Sequence, residues 1–571
     1  MSNPSRVPPE MSLSPMTTID TTASSAPSTG TGLACVAEWL TTTDHKRIGR
    51  LYIGGGALAF LGAAVIAVLL GAERISTTSE LLDINALPQL FAFERFGLTY
   101  LALAPLMIGI ALAVVPLQLG ARSLAFPRVA AAGFWMWLVG AALSIYSIVN
   151  NGGPNGGNPR FVELFILSAL MVITGLVAGV VSLATSVLTT RAPGMNMRRI
   201  PFFSWSVLIT SLALVIALPV VAGDLLFSWL AYRYPSAENV LSGSRALNDW
   251  VGFGFSQPTT LLFLVPVFGF FAETVATFTG QRLRPRGVLF GAIGLAGLAV
   301  FATVVQAPVT LRPAFSSLGL GDKLADLAPF ALVHGLPLLG AFAAFALVAK
   351  NLASKPKIQA PVFFALFAAL LALSAAAASA LLHVGDAALA GTTFEEGNWL
   401  TVVFAGVIAA MGAIVYWGPK WWGREMPNKA VLPLALFAFL GAELATLPLL
   451  VAGFADQPGA VFPAVLATVS ADSSAIVTFD YSGSPSLWNT LSTVGLALIT
   501  LSVLAFVALA LKSFSGDATA ANDPWASDPW NGHTLEWSAA SPAPFDNFPV
   551  APIVSSAEPL LDLRVADRSS R

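Results

Sequence analysis

Apolar residues run along this chain for about twenty positions at a time, the length at which a helix crosses the hydrocarbon core of a bilayer. Such runs lie near 51 to 71, 98 to 118, 129 to 149, 162 to 185, 205 to 229 and 258 to 278. A second set lies near 287 to 307, 328 to 350, 361 to 383, 399 to 418, 431 to 453 and 489 to 512. The pattern predicts an all-α membrane protein with twelve transmembrane helices between residues 39 and 513.

Cationic residues are shared unevenly between alternate joints. One side holds Lys46, Arg47, Arg50, Arg122, Arg128, Arg191, Arg198, Arg199, Arg282, Arg284, Arg286, Lys350, Lys355, Lys357, Lys420, Arg424, Lys429 and Lys512. The other holds Arg74, Arg95, Arg160, Arg233, Arg245, Arg312 and Lys323. Cytoplasmic loops retain Lys and Arg, so this imbalance predicts that both termini are cytoplasmic. Residues 1 to 38 are rich in Ser, Thr and Pro and lack the layout of a signal peptide, which predicts a disordered tail. Residues 514 to 571, with their Asp, Pro and Trp, are a second cytoplasmic tail.

Composition agrees with a membrane setting. Hydrophobic residues make up 56% of the chain and charged residues 11%, with a mean hydropathy of +0.75, against about 25% charge in a soluble domain. The net charge of -2 gives no reason to expect nucleic acid, since the basic residues are accounted for by topology. A single cysteine, Cys35, excludes an internal disulfide and a Cys cluster for zinc or iron-sulfur. The Gly-rich loop from Asn150 to Pro159 lacks the Lys and Ser or Thr of a phosphate-binding loop.

Polar residues inside the runs are the candidates for chemistry. Glu443 falls near the middle of the eleventh run, in "FLGAELATLP", with no Lys or Arg at comparable depth in any run. It is expected to be a protonated, hydrogen-bonded core carboxyl or, as the candidate titrating group, to serve a proton-linked or substrate role. Asp224 and Glu273 fall near opposite faces. Gln257 opens the apolar stretch "FGFSQPTTLLFLVPVFGFF" (Phe253 to Phe271) directly before Pro258. It caps backbone groups freed by the proline, or it marks a remnant metal or substrate contact. His334 and His383 are expected at the outer and inner ends of their spans, respectively, or in the adjoining loops.

Several motifs resemble those of haem-copper cytochrome c oxidase subunit I. They are "WLTTTDHKRIGRLY" (Trp39 to Tyr52), "PLQLGARSLAFPR" (Pro116 to Arg128), "RAPGMNMRRIPFFSWSVLITSLALVIALPVVAG" (Arg191 to Gly223), "LWNTLSTVG" (Leu487 to Gly495) and "GHTLEWSAASPAPFDNF" (Gly532 to Phe548). The resemblance implies the twelve-helix subunit I bundle in a bacterial plasma membrane, working in aerobic respiration. It also implies two haems, copper, and partner subunits of the II and III types in the same bilayer.

The chemistry of that family rests on six intramembrane histidines, because imidazole binds iron and copper in its neutral form. This chain has four histidines, and His45 and His533 belong to motifs outside the membrane. On the family's spacing, the first low-spin haem ligand falls on Glu94 and a copper ligand on Gln257. Thr259 then stands for the proton-delivering glutamate and Leu261 for the cross-linked tyrosine. Counting from Asp386 and Thr392 to Phe394 places the ligands of helix ten at Asn398 and Leu400; counting back from Pro419 and Lys420 gives Gly397 and Trp399. The entrance aspartate of one proton channel falls on Ser123, a channel asparagine on Leu112, and the propionate-holding arginine pair near Gly459 and Ala460.

The expectation is therefore a subunit I-like membrane protein without haem, copper or redox activity, kept as a scaffold or partner subunit of a respiratory-type complex. Two alternatives are a transporter or proton-coupled sensor using the emptied cavity, and an active terminal oxidase with unconventional ligands. Trp399 and Phe253 are expected to fill part of the space that haem would occupy.

Overall fold

A computed structural model describes residues 37–76, 81–83, 85–154, 156–234, 261–305, 309–354, 356–459, 484–515 and 528–570. Residues up to Thr42 form a unit of their own, of which the described part is one helical turn with Thr41 N on Ala37 O. Everything from Thr43 onward forms the second unit.

That unit is a helical bundle. Its elements are α1 (His45–Glu73), α2 (Leu87–Gln118), α3 (Pro127–Val149), α4 (Pro159–Thr189), α5 (Phe202–Arg233), α6 (Val265–Thr279) and α7 (Arg286–Ala302). They continue as α8 (Leu320–Ser354), α9 (Ala360–Leu382), α10 (Thr393–Trp422), α11 (Asn428–Gly453) and α12 (Ser484–Phe514). Among the described residues ten helices are long and apolar enough to cross a membrane, and α6 and α7 are shorter apolar helices. Each corresponds to one of the twelve runs. The segment ahead of α6, with Gln257 and Phe253, lies outside the described residues.

Local chemistry sets the helix ends. Asp44 caps α1 by accepting from Lys46 N at 3.0 Å, Asn158 caps α4 ahead of Pro159, and Thr392 caps α10 ahead of Glu395 and Glu396. An acid-rich first turn suits the positive end of a helix dipole. α10 stops at Gly423, which takes a left-handed φ of 68° that a side chain would disfavour. In the bundle, α3 and α4 meet backbone to backbone at Gly133 and Gly175. A Cβ on Gly175 would lie 2.5 Å from the Gly133 carbonyl oxygen, the close approach that small residues allow between membrane helices.

α2 and α10 are the innermost helices, with their apolar windows 100% and 94% buried. They carry Glu94 and Asn398, to which the resemblance assigns ligand positions. The C-terminal residues 528–570 pack across one end of the bundle with Trp530, Leu535, Trp537, Phe548 and Val554 buried. The start of α1 and the ends of α2 and α10 lie at that end, joined to the segment by Asn547 on His45, Gln118 on Glu536 and Lys420 on Ala539. The Gly-rich loop after α3 folds as a two-residue hairpin, Gly152–Gly153 against Gly156–Gly157, and Gln89 of α2 holds it through Asn151 and Gly156.

Candidate functional site

The candidate site lies where α1, α2, α10 and α12 meet, at the end of the bundle away from the C-terminal segment. Arg74, just past α1, makes a fork with Glu396 in the first turn of α10: Nη1 to Oε1 at 2.9 Å and Nη2 to Oε2 at 2.7 Å. Nη2 also donates to the Gly459 carbonyl at 3.0 Å. Both side chains of the pair are less than a tenth exposed. Asn489 of α12 donates to the Arg74 carbonyl, and Gln457 donates to Asn489. Glu94 of α2 is buried and lines the same small cavity as Arg74, Glu396, Asn489 and Ser492. The cavity has room for about one water.

Beyond this cluster the space between α2 and α10 is taken by Trp399. Its ring is 1% exposed, its Nε1 donates to Thr99 Oγ1 at 2.9 Å, and the Arg95 guanidinium lies 5.5 Å from its centroid. Thr99 sits in a π-helical turn, Gly97–Leu103, inside α2. Trp399 is thus the residue of its stretch that hydrogen-bonds across to the second helix. Asn398 is fully buried, with neither amide atom hydrogen-bonded to a described residue, and Leu400 is fully buried and apolar. Leu261 lines a second small cavity walled by apolar side chains, among them Leu264, Phe268, Pro337 and Ala372. Gln257, Thr259 and Phe253 lie outside the described residues.

Two expectations are corrected. Glu443 is no hydrogen-bonded core carboxyl among the described residues: it is only partly buried, makes no hydrogen bond or ion pair with any of them, and lines neither cavity. The phase of α11 turns it outward, on the side of exposed Leu440 and Leu447. His334 and His383 do not lie at opposite ends. α8 and α9 run antiparallel, so the first part of α8 meets the end of α9, and the two rings stack at 4.2 Å between centroids. Each ring has one nitrogen on a backbone carbonyl, of Val309 and Ser379 respectively.

A second buried polar cluster, at the other end, was missed as a cluster. Glu536 of the C-terminal segment is fully buried; its Oε1 accepts from Gln118 Nε2 at 3.0 Å and Trp417 Nε1 at 3.2 Å, and Ser204 donates to Gln118 at 2.7 Å. Burial pushes the Glu536 carboxyl above the usual range. Burial, and then the charges of Arg564 and Arg282, hold His533 down to about 4. The signal was the motif "GHTLEWSAASPAPFDNF", which packs on the bundle that its own family signature helped to predict. The fork of Arg74 and Glu396 had no local signal, since its partners are 322 residues apart.

The model of the cytochrome c and quinol oxidase polypeptide I family matches residues 47–498. The chain belongs to this family. The cytochrome c oxidase subunit 1 of Bacillus subtilis strain 168 is 26% identical over 542 residues, covering 92% of this chain and 82% of that relative. The subunit 1 of Alkalihalophilus pseudofirmus is also 26% identical, over 571 residues, with the same coverage. A haem-copper terminal oxidase dimer solved by cryo-electron microscopy matches 92% of this chain and 99% of its own, with a TM-score of 0.62 at 14% identity, which speaks for the fold.

Haem and copper are the family's cofactors, and the described positions on which the family's spacing places their ligands do not fit them. Leu400 and Leu261 carry no donor atom, Asn398 offers only a neutral amide, and Trp399 closes the space toward Thr99. His45 is fixed between the Leu112 carbonyl and Asn547 at the capped end. Among the described residues no group of three or more His, Cys, Asp or Glu could hold a metal ion.

Proposed function

We propose that this member of the family is a structural or partner subunit of an oxidase-type respiratory assembly rather than its electron-transferring centre. On this reading it lies in a bacterial plasma membrane with both termini in the cytoplasm, beside subunits of the II and III types. Trp399 supports the reading: its indole is buried and hydrogen-bonds from α10 across to α2, the two helices on which the family's spacing puts Asn398 and Glu94 at ligand positions. On the family's spacing Glu94 falls at the low-spin haem's first ligand, and it lines a cavity with the Arg74 and Glu396 pair.

The test is a visible spectrum of the purified protein, oxidised and dithionite-reduced, with copper measured on the same sample. No Soret band and no stoichiometric copper is the expected result. A reduced haem spectrum at one or two haems per chain would overturn the proposal in favour of an oxidase with unconventional ligands. A transporter or sensor working through Glu443 would need that carboxyl to face an internal cavity, and it lines neither of the two described above.

A further inference from the structure

Glu443 is the one feature of α11 that a lipid-facing helix does not explain. It lies about 15 Å along the helix from its nearer end, Gly453, and so deep in the membrane. Its neighbours on the outward face, Leu436, Leu440, Leu447, Val451 and Phe454, are all exposed. Their spacing of three, four or seven residues makes a single stripe that Glu443 interrupts. The helices packed against α11 are α9, α10 and α12. α9 carries no charged residue, the basic residue of α10 is Lys420 at its far end, and that of α12 is Lys512 in its last turn. Among the described residues no cation of these helices therefore reaches Glu443 at its depth.

We propose that the α11 face centred on Glu443 docks a transmembrane helix of a different subunit carrying a Lys or Arg near mid-membrane. This deepens the partner-subunit reading and rests on it. A carboxyl left against hydrocarbon is costly in either protonation state, and the cost falls when a partner supplies a donor. Charge selects the occupant. A basic side chain complements the ionised carboxylate, whereas a second copy of this chain brings another carboxyl to the same depth. The Leu and Val on either side offer the apolar surface along which such a helix packs, and the acid fixes its register, as single polar residues do in helix pairs.

Two measurements test this on the full chain. In the first, the labelled protein is reconstituted in phosphatidylcholine vesicles with a poly-leucine helix of about 20 residues bearing a single central Lys. Energy transfer is compared with that of an all-leucine helix and of one bearing a central Glu. The Lys helix is expected to associate about tenfold more tightly than the leucine helix, and Glu443→Gln and Glu443→Leu are expected to abolish the difference. Both variants remove a charge from an outward face, and melting curves check that they remain folded. Equal association of all three helices, or a preference that survives both substitutions, would overturn the docking proposal.

In the second, a photo-crosslinker at Leu440 or Leu447 is activated in native membranes. A crosslink to a different protein, at a spanning segment with a central Lys or Arg, is expected. A crosslink to a second copy of this chain, or to lipid only, overturns the inference. If other subunits co-purify while these positions reach none of them, only the docking face is wrong. If no subunit co-purifies, the partner-subunit reading fails with it.

Discussion

Replacing Trp399 with alanine tests the packing argument directly. The ring is 1% exposed, donates to Thr99 at 2.9 Å and lies under the Arg95 guanidinium at 5.5 Å. Truncating a buried aromatic to alanine costs about 3–5 kcal/mol, and that figure already contains the loss of its contacts. Within it, the hydrogen bond contributes about 1 kcal/mol and the cation over the ring about 0.5–1 kcal/mol. Trp399→Phe keeps most of the ring and loses the donor, so it should cost about 1–2 kcal/mol. Against a total stability of about 5–15 kcal/mol, the alanine variant should melt well below the parent. The assay is thermal unfolding in mild detergent, followed by circular dichroism. An alanine variant that melts with the parent would mean that the indole sits in slack space, and the slot between α2 and α10 would then be open to a planar ligand.

Two further outcomes are expected. Arg74→Met leaves the Glu396 carboxylate buried without its fork and should cost about 3–5 kcal/mol; adding Glu396→Gln should recover most of this, and a double-mutant cycle with no coupling would refute the pairing. His533 is held at about 4 against an ordinary 6.5. Its neutral form is therefore the one the fold prefers, and the stability linked to it is present above pH 6.5 and lost as pH falls from there toward 4. The parent should lose up to about 3 kcal/mol more than His533→Asn across that window, read as the difference between their melting curves, because the buried acids Asp528, Glu536 and Glu558 are common to both. A constant difference would show that His533 keeps an ordinary pKa in the folded protein.

The twelve runs were legible because each is long and nearly free of charge, and the structure puts a helix on every one. Their starts were less legible. α2 begins at Leu87 rather than near 98, since Gln89, Glu94 and Arg95 lower the hydropathy of turns that are nevertheless helical. α10 begins at Thr393 because Glu395 and Glu396 open it. The side of a helix was not legible at all for Glu443. In a soluble protein, alternating polar and apolar positions reveal which face points inward. In a membrane the lipid face is as apolar as the core, so Leu440 and Leu447 read the same whichever way they point. Depth could be counted from the sequence, but azimuth could not. The two histidines show a simpler failure, a helix direction miscounted. The site cluster depended on Arg74 meeting Glu396, a contact between chain segments far apart, and no local pattern encodes it.

The distribution of polar contacts gives one account of how this bundle holds its innermost helices together. α2 and α10 are buried on nearly all sides, where apolar packing alone distinguishes poorly between neighbouring registers. Two directional contacts fix their register instead, and a third anchors α10 to the helices around them. Trp399 ties α10 to α2 at Thr99. The Arg74 fork ties the start of α10 to the end of α1, and through Asn489 to α12. At the other end Glu536 accepts from Gln118 of α2 and Trp417 of α10 together. Each contact joins elements that are distant in sequence, and each is buried, where losing one partner strands the other. α2 and α10 are thus joined by side-chain contacts near both of their ends. Contacts of this kind hold the register around Glu94, Asn398 and Leu400, the positions that the family's spacing assigns to ligands, through the protein's own side chains.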